Sequence, residues 1–536
     1  MYMGIVYLFC GLAGIICLLL SPSNLGRLIF AWISIPFLVV SWAYFSNQSK
    51  IFRKDARGKI PFYIKVLFIP FLIVTHIYNL IARKNDGVPS IQRISDGLYI
   101  GDKLTASDLS VIAQKEIQAI LDVTAEFESL RWSLLDTKMA YLNIPILDHA
   151  VPSAEDLQQA IIWIKNQQRL NGPVLVNCAL GRGRSALVIA AYLISNRKGS
   201  SVEQTLQDLK KIRRTVNLNT RQRKKLEQFI ESEKLFRLPT AWIIANPVSG
   251  GGKWGEYKQE VCSELSVQYL MTIKESSEHE SISSLAKEGV RQNPDTIIAC
   301  GGDGTVSEVA AQVVNTDIRL GIIPAGTTNA LCHVLMGIQS KLSPVETACS
   351  YILKGDSKKI DTAQCNGRLV LLLVGLGFEQ KMIEAADRQE KDEYGQFAYL
   401  KGLWQAIQKG KTIHVTLSLD DQEPFSIETG SLVVANAAPI TTLLALGKGN
   451  PDHADGLLDI TWLAPEENEL GVVSSLFELA LSGMLNISSG NTVQHHHARK
   501  VTIINETDPH YVIDGEVYQD EQLHIEIFPQ SLRVVC

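Results

Sequence analysis

The chain has 536 residues and a formal net charge of −5, with 20% of its residues charged. That near balance, without a long basic run, argues against a nucleic-acid partner and against disorder, and the length calls for about three or four domains. Nine cysteines are scattered without any Cys-x-x-Cys pair, which excludes a disulfide scaffold or zinc ribbon and fits reduced thiols.

Residues 4–20 and 28–45 carry no charge, and each run is close to the ~20 residues that cross a bilayer. The Ser21-Pro22-Ser23-Asn24 turn between them predicts a helical hairpin. A signal peptide would need a basic leader, and here a second span follows at once. Lys50, Arg53, Lys54, Arg57 and Lys59 come next and place this segment in the cytoplasm. A third apolar run, residues 61–81, contains Lys65, Pro70 and His76 and ends at Arg83-Lys84. A full crossing there would carry everything downstream away from ATP, so a re-entrant or interfacial segment is expected. A third span of opposite orientation is the alternative. Lys65, Arg83 and Lys84 are expected to snorkel to headgroups.

After a polar linker (residues 85–90), residues 117–124 read as a buried strand. A further strand, residues 174–176, runs into Asn177-Cys178-Ala179-Leu180-Gly181-Arg182-Gly183-Arg184-Ser185 and then an apolar helix, 186–194. A Cys-x5-Arg loop at a strand-to-helix turn suits phosphate chemistry, because loop amides and a helix N-terminus favour anions, a thiolate among them. Cys178 would attack phosphorus and the Arg184 fork would bind equatorial oxygens. Ser185 would stabilise the departing thiolate, and Asp148 is the candidate general acid. With these parts, residues 92–232 resemble the dual-specificity branch of protein tyrosine phosphatases. The family usually has His where this chain has Asn177, so weaker activation of the cysteine is expected; a phosphate-binding sensor is the alternative. Arg182 and the membrane hairpin together favour an anionic phospholipid or inositol phosphate over a phosphoprotein. His149 reads as loop architecture, and the mixed-charge residues 201–236 as solvated helices.

The next region has three loops, each after a strand. Asn246-Pro247-Val248-Ser249-Gly250-Gly251-Gly252-Lys253 follows residues 241–245; Gly301-Gly302-Asp303-Gly304-Thr305 follows residues 296–300; Pro324-Ala325-Gly326-Thr327-Thr328-Asn329 follows residues 320–323. Three such loops at adjacent strand ends of an α/β sheet form one nucleotide crevice. This order resembles the diacylglycerol kinase catalytic superfamily over about residues 240–530. The resemblance implies ATP and Mg²⁺ as cofactors. It implies nucleotide contacts from Asn246, Ser249, Gly250, Gly301, Gly302, Gly304, Thr305, Glu308, Gly326, Thr327 and Asn329. Ala330 stands where many members have Asp, and no Thr stands at Glu275 or the two serines after it, near which members have a nucleotide-contacting Thr. Gly375 to Phe378, Tyr394-Gly395 and Tyr399 fit the start of the family's second, β-rich domain.

Further on, Asp452-His453-Ala454-Asp455-Gly456-Leu457 resembles a loop that binds structural Mg²⁺ in bacterial members, with a carboxylate from Asp455 and backbone carbonyls from Asp452 and Leu457; a simple turn is the alternative. Asp514-Gly515-Glu516 resembles the family's Asp-Gly-Glu, which makes Glu516 or Asp514 the base for the acceptor hydroxyl and leaves Asp303 to nucleotide and Mg²⁺. His495-His496-His497 precedes a strand without a second ligand cluster at suitable spacing, so metal binding is not expected there. Residues 470–485 read as a core or lipid-facing helix.

The expected architecture is multidomain: a membrane region with a transmembrane helical hairpin (1–84), an α/β phosphatase domain (90–236), an α/β nucleotide-binding domain (240–375) and a β-rich domain (376–536). The expected function is an ATP-dependent lipid kinase fused to a cysteine phosphatase. It would sit in a bacterial inner membrane with its catalytic domains in the cytoplasm, its partners a lipid substrate and the bilayer. NAD kinase, which shares Gly-Gly-Asp-Gly-Thr, is the competing reading. Oligomeric state is not legible.

Overall fold

The structure, a computed structural model, describes residues 2–130, 139–197, 199–337, 339–377, 412–420, 422–437, 452–463, 493–505 and 509–536. Phe378, Tyr394, Gly395, Tyr399 and the expected helix at 470–485 lie outside the described residues. The chain forms two compact units, residues 1–239 with 266–270 and residues 240–265 with 271–536.

The first unit opens with α1 (Tyr2–Leu20) and α2 (Asn24–Ser46). Ser23 caps α2 by accepting from the Gly26 amide at 3.0 Å. Small residues let the pair approach: a Cβ on Gly14 would overlap the Ser34 hydroxyl, and Ser41 Oγ donates to the Gly4 carbonyl at 2.8 Å. α3 (Phe62–Asp86) is one continuous helix through Pro70, ended by Gly87 at φ 55°. A re-entrant break is therefore not formed. All three helices are long and apolar enough to cross a membrane, and they are compatible with insertion.

α3 lies along the phosphatase-like domain from end to end. Before it, Lys54 is buried and pairs with Asp122 at 2.8 Å, and at its start the Ile60 amide donates to Glu128. In the middle, Phe68 and Phe71 pack with Phe37, Val40, Ala125 and Leu147. At its end Asn79 Nδ2 donates to the Ala179 carbonyl at 2.7 Å, and Arg83 pairs with Asp102 at 3.0 Å. The opposite face leaves Tyr63, Val66, Ile73, Ile77, Leu80 and Ile81 exposed.

The domain is a five-stranded sheet in the order β1-β2-β5-β3-β4, formed by β1 (Ile91–Ser95), β2 (Leu98–Gly101), β3 (Ala119–Asp122), β4 (Ala140–Asn143) and β5 (Val174–Asn177). Every pair but β1–β2 is parallel, and β3 and β5 are wholly buried, as a parallel sheet covered on both faces requires. With α4 (Leu109–Gln114), α5 (Ala154–Leu170), α6 (Arg184–Asn196), α7 (Val202–Ile212) and α8 (Thr220–Glu231) it makes an α/β domain.

The second unit has a ten-stranded sheet. β6 (Thr240–Ala245), β7 (Leu270–Glu275), β8 (Thr296–Gly301) and β9 (Arg319–Pro324) alternate with α9 (Lys253–Leu265), α10 (Ile282–Gln292), α11 (Asp303–Val313), α12 (Ala330–Met336), α13 (Gln339–Leu342) and α14 (Pro344–Lys354). β6, β8 and β9 are parallel neighbours. β10 (Ser357–Cys365), β11 (Arg368–Val370), β12 (Leu373–Gly377), β13 (Ile413–Leu419), β14 (Phe425–Thr429) and β15 (Ser431–Ala435) follow, then β16 (Leu458–Leu463), β17 (Val493–Ala498), β18 (Lys500–Asn505), β19 (His510–Ile513), β20 (Glu516–Gln519) and β21 (Gln522–Val535). The last strand, β21, returns to pair with β9, so it belongs to the same sheet as β6, β8 and β9. A second, antiparallel sheet runs β17-β16-β15-β12-β19-β20. The three histidines lie inside a strand of their own, β17, immediately before β18.

Candidate active sites

The cysteine loop joins buried β5 to α6. Cys178 Sγ lies 3.3 Å from Ser185 Oγ and accepts from the Gly181 amide at 3.2 Å. Arg184 is 1% exposed; its two Nη atoms meet both Glu126 carboxylate oxygens at 2.7 and 2.8 Å, and one also donates to the Ile146 carbonyl. Asp148 Oδ1 stands 3.5 Å from Arg184 Nη2. Burial alone would lower the Arg184 guanidinium, but the carboxylates of Glu126 and Asp148 outweigh it and raise it further. Arg184 Nε is buried without a partner among the described residues, so one of its donors is left over. Asn177 Oδ1 is likewise buried and unpartnered among them, so it braces no described group of the loop. A cleft of about 350 Å³ borders Cys178 and Asn177, with Lys103, Phe127 and Tyr141 on its walls. His149 adopts the left-handed conformation at φ 57°, as loop architecture requires. Arg182 reaches Asp86 of α3 at 3.2 Å.

In the second unit the three loops meet. The Gly302 amide donates to Ser249 Oγ at 2.9 Å, Asn246 Nδ2 donates to Thr305 Oγ1 at 3.3 Å, and Lys253 Nζ donates to the Gly326 carbonyl at 3.1 Å. Gly302 and Gly326 touch so closely that a Cβ on Gly326 would overlap the Gly302 backbone. Asn329 braces its loop by exchanging hydrogen bonds with Gly326 at 2.9 Å in both directions. Asp303 accepts from the Ala330 amide at 2.7 Å; burial raises its carboxyl, opposed by this and neighbouring amides. Ala330 thus enters through its backbone, which any residue supplies. A Cβ on Gly304 would lie 3.2 Å from Glu516 Oε1, so the distant Asp-Gly-Glu reaches the Gly-Gly-Asp-Gly-Thr loop. The two acids of that motif differ. Asp514 accepts from the Leu371, Leu372 and Leu373 amides at 2.7–2.9 Å, and burial still pushes it up to about 6. Its oxygens brace a turn. Glu516 is exposed and accepts only the Tyr518 hydroxyl, at 2.7 Å, among the described bonds. Glu308 accepts from the Ser283 amide in the first turn of α10, so it caps a helix. Thr327 carries no described bond.

A family model for the dual specificity phosphatase catalytic domain matches residues 98–232, one for the diacylglycerol kinase catalytic domain matches 240–365, and one for the YegS C-terminal NAD kinase beta sandwich-like domain matches 373–536. The chain is a fusion of a dual specificity phosphatase domain and a diacylglycerol kinase catalytic region. An uncharacterized protein of Synechocystis sp. is 35% identical to this chain over 313 residues, 56% of this chain and 71% of that one. A candidate lipid kinase of Staphylococcus haemolyticus is 25% identical over 51% of this chain and 86% of its own length. A diacylglycerol kinase crystal structure from Bacillus anthracis is 20% identical, with a TM-score of 0.42, covering 56% of this chain and 97% of that one.

In the kinase half, Asp452 and Asp455 each accept a turn amide, from Ala454 at 3.1 Å and Leu457 at 2.9 Å. Burial raises the Asp455 carboxyl, with Asp459, Asp452 and Asp361 adding to it. An all-oxygen cluster of this sign fits a hard divalent cation. The residues that sequence reasoning missed are Glu126, Asn79 and Lys253. Glu126 follows a buried strand and pairs with Arg184 across 58 residues, so no local spacing reveals it. Asn79 hides as a single polar residue in an apolar helix. Lys253 stood in the first loop but carried no role.

Proposed function

We propose that the chain is a membrane-bound enzyme with two phosphate chemistries: an ATP-dependent lipid kinase and a cysteine phosphatase acting on a membrane phosphomonoester. For the kinase, the meeting of three loops with Glu516 at Gly304 carries the reading. For the phosphatase it is the Cys178 thiol held between Ser185 Oγ and the Gly181 amide in the loop that Arg184 closes.

Cys178 attacks phosphorus as a thiolate while the phosphoester bond breaks. Asp148 gives its proton to the leaving alcohol oxygen, Arg184 binds the equatorial oxygens, and Ser185 steadies the thiolate. Water, deprotonated by Asp148, then breaks the S–P bond and releases phosphate. In the kinase half, Asn246, Ser249, Gly302 and the Gly326 loop cradle the nucleotide phosphates. Glu516 takes the proton of a lipid hydroxyl as its oxygen attacks the γ-phosphorus and the bond to ADP breaks. Mg²⁺ would be held by Asp303 beside the nucleotide, neutralising charge, with a structural ion at Asp452, Asp455 and Leu457.

α1 and α2 cross the bilayer as a hairpin, while α3 lies in its surface. The support is geometric: α3 is about 37 Å long, yet both of its ends are fastened to the same water-soluble domain. A helix so held cannot carry its ends to opposite sides of a membrane. Its apolar outer face then meets lipid and sets the Cys178 loop at the headgroup level, on the same side as the basic segment.

The test incubates the detergent-purified chain with γ-labelled ATP and either bacterial lipid extract or NAD. Label in the lipid phase, lost in Asp303→Ala, supports the reading; label in NAD alone overturns the lipid acceptor.

A further inference from the structure

We propose that Asp459, His495 and His497 form a transition-metal site of the Zn²⁺ class, separate from both catalytic centres. The period of a strand puts His495 and His497 on one face of β17 and His496 on the other, where it stacks on Trp462 with ring centroids 5.0 Å apart and planes 5° apart. The antiparallel register sets His497 directly opposite Asp459 on β16, and His495 opposite Thr461.

The three donors converge. Asp459 Oδ1 lies 2.8 Å from His495 Nε2 and 3.1 Å from His497 Nε2, and all the donor atoms fall within 4.8 Å of one another. Zinc bonds of about 2.0–2.2 Å leave tetrahedral neighbours about 3.3 Å apart, so only small shifts would admit an ion. The side chains of Asp459 and His495 are 8% and 9% exposed and that of His497 is 50% exposed, so two ligands are anchored and the third borders solvent. That pattern suits a site with three protein ligands and one open position. Beside it, Thr461 Oγ1 is fully buried without a partner among the described residues, on the same face of the sheet. An unpaired buried hydroxyl is costly, and a metal-bound water would satisfy it. Two imidazoles make this set unlike the all-oxygen Asp452–Asp455 turn: nitrogen ligands select Zn²⁺ or Co²⁺ over Mg²⁺. The ion would fasten β16 to β17.

The test uses the full chain in detergent, stripped with chelator and titrated with Zn²⁺ or Co²⁺ under excess Mg²⁺. Metal content is read by mass spectrometry and the Co²⁺ form by its visible absorption. One bound Zn²⁺ per chain and a tetrahedral Co²⁺ spectrum are expected. His497→Ala, at a half-exposed position, should keep the circular dichroism of the parent and weaken Zn²⁺ binding more than about a hundredfold, beyond the cost of losing an outer partner. Thr461→Val should weaken it about tenfold. No stoichiometric Zn²⁺ on the parent chain, or equal binding by His497→Ala, overturns the proposal and leaves a hydrogen-bonded His–Asp–His set.

Discussion

The chain builds two phosphate sites at strand-to-helix turns, and they solve the same electrostatic problem differently. The Cys178 loop uses a buried cation, Arg184, and must then bury a carboxylate, Glu126, to hold it. The crevice around Gly302 joins its loops through the Ser249, Asn246 and Lys253 side chains, without a buried ion pair among the described residues, and sets two acids, Asp303 and Glu516, beside them. On the proposed function, the first would be a fixed receptor for one phosphate and the second a looser frame for a polyphosphate with its ion.

The largest effects should come from separating the two. Cys178→Ser removes the nucleophile and is expected to lower phosphomonoesterase turnover by at least about a thousandfold with kinase turnover unchanged. Asp303→Ala is expected to lower labelled-lipid formation by about a hundred- to a thousandfold and leave the phosphatase as it was. Parallel assays of both variants check this; a loss of both activities in either variant would show that the sites are not independent. Next comes Glu126→Gln, which strands the Arg184 charge in the interior. It should cost about 3–5 kcal/mol of stability, read by chemical denaturation, because breaking a buried pair leaves an uncompensated ion. The kinase crevice has no such buried pair among its described residues.

Sequence reached the loops but not what holds them. Cys178, Arg184 and Gly301 to Thr305 sit at strand ends, where apolar runs followed by Gly-rich turns are local signals. Glu126, Asn79 and the Gly304–Glu516 approach depend on distant segments meeting, which no spacing encodes. The three histidines show the same limit. Their alternation was in plain view, but Asp459, thirty-six residues upstream of His495, becomes a neighbour only through the β16–β17 register. For α3, composition left re-entrant, interfacial and spanning states open, and what the two ends of the helix touch depends on segments far along the chain. Glu308 accepts from the first turn of α10, the helix before its own, a contact between segments 25 residues apart that no spacing around the phosphate loop reveals.

Asp514 and Glu516 offer a smaller and sharper separation. Asp514→Ala strips three amides of their acceptor and should cost about 3 kcal/mol of stability. Glu516→Gln should leave stability within about 0.5 kcal/mol, as surface changes do, while lowering kinase turnover about a hundredfold as a lost general base does. Denaturation and initial rates on the same preparations check this; a stable, slow Asp514→Ala would exchange the two roles.

The smallest effect is in the pH dependence of stability, and it has the same sign in both units. Burial pushes Asp102 in the phosphatase half and Asp514 in the kinase half up to about 6, whereas an unfolded aspartate titrates near 3.9. Between about pH 4 and 6 the native chain therefore holds protons that the unfolded chain has released. Stability falls as pH rises through that window, is level above it and gains nothing further below it. For Asp102 the fall should be about 1–3 kcal/mol, since Arg83 at 3.0 Å opposes the burial. Asp102→Asn also removes the ionised partner of Arg83, a loss felt at pH 7 and much less at pH 5, where Asp102 of the parent is already largely protonated. Its signature is a flattened pH slope in the phosphatase transition with the kinase transition unaltered, measured by thermal unfolding from pH 4 to 7. An unchanged slope would mean that Asp102 stays ionised throughout, held by Arg83 and Arg213 against its burial.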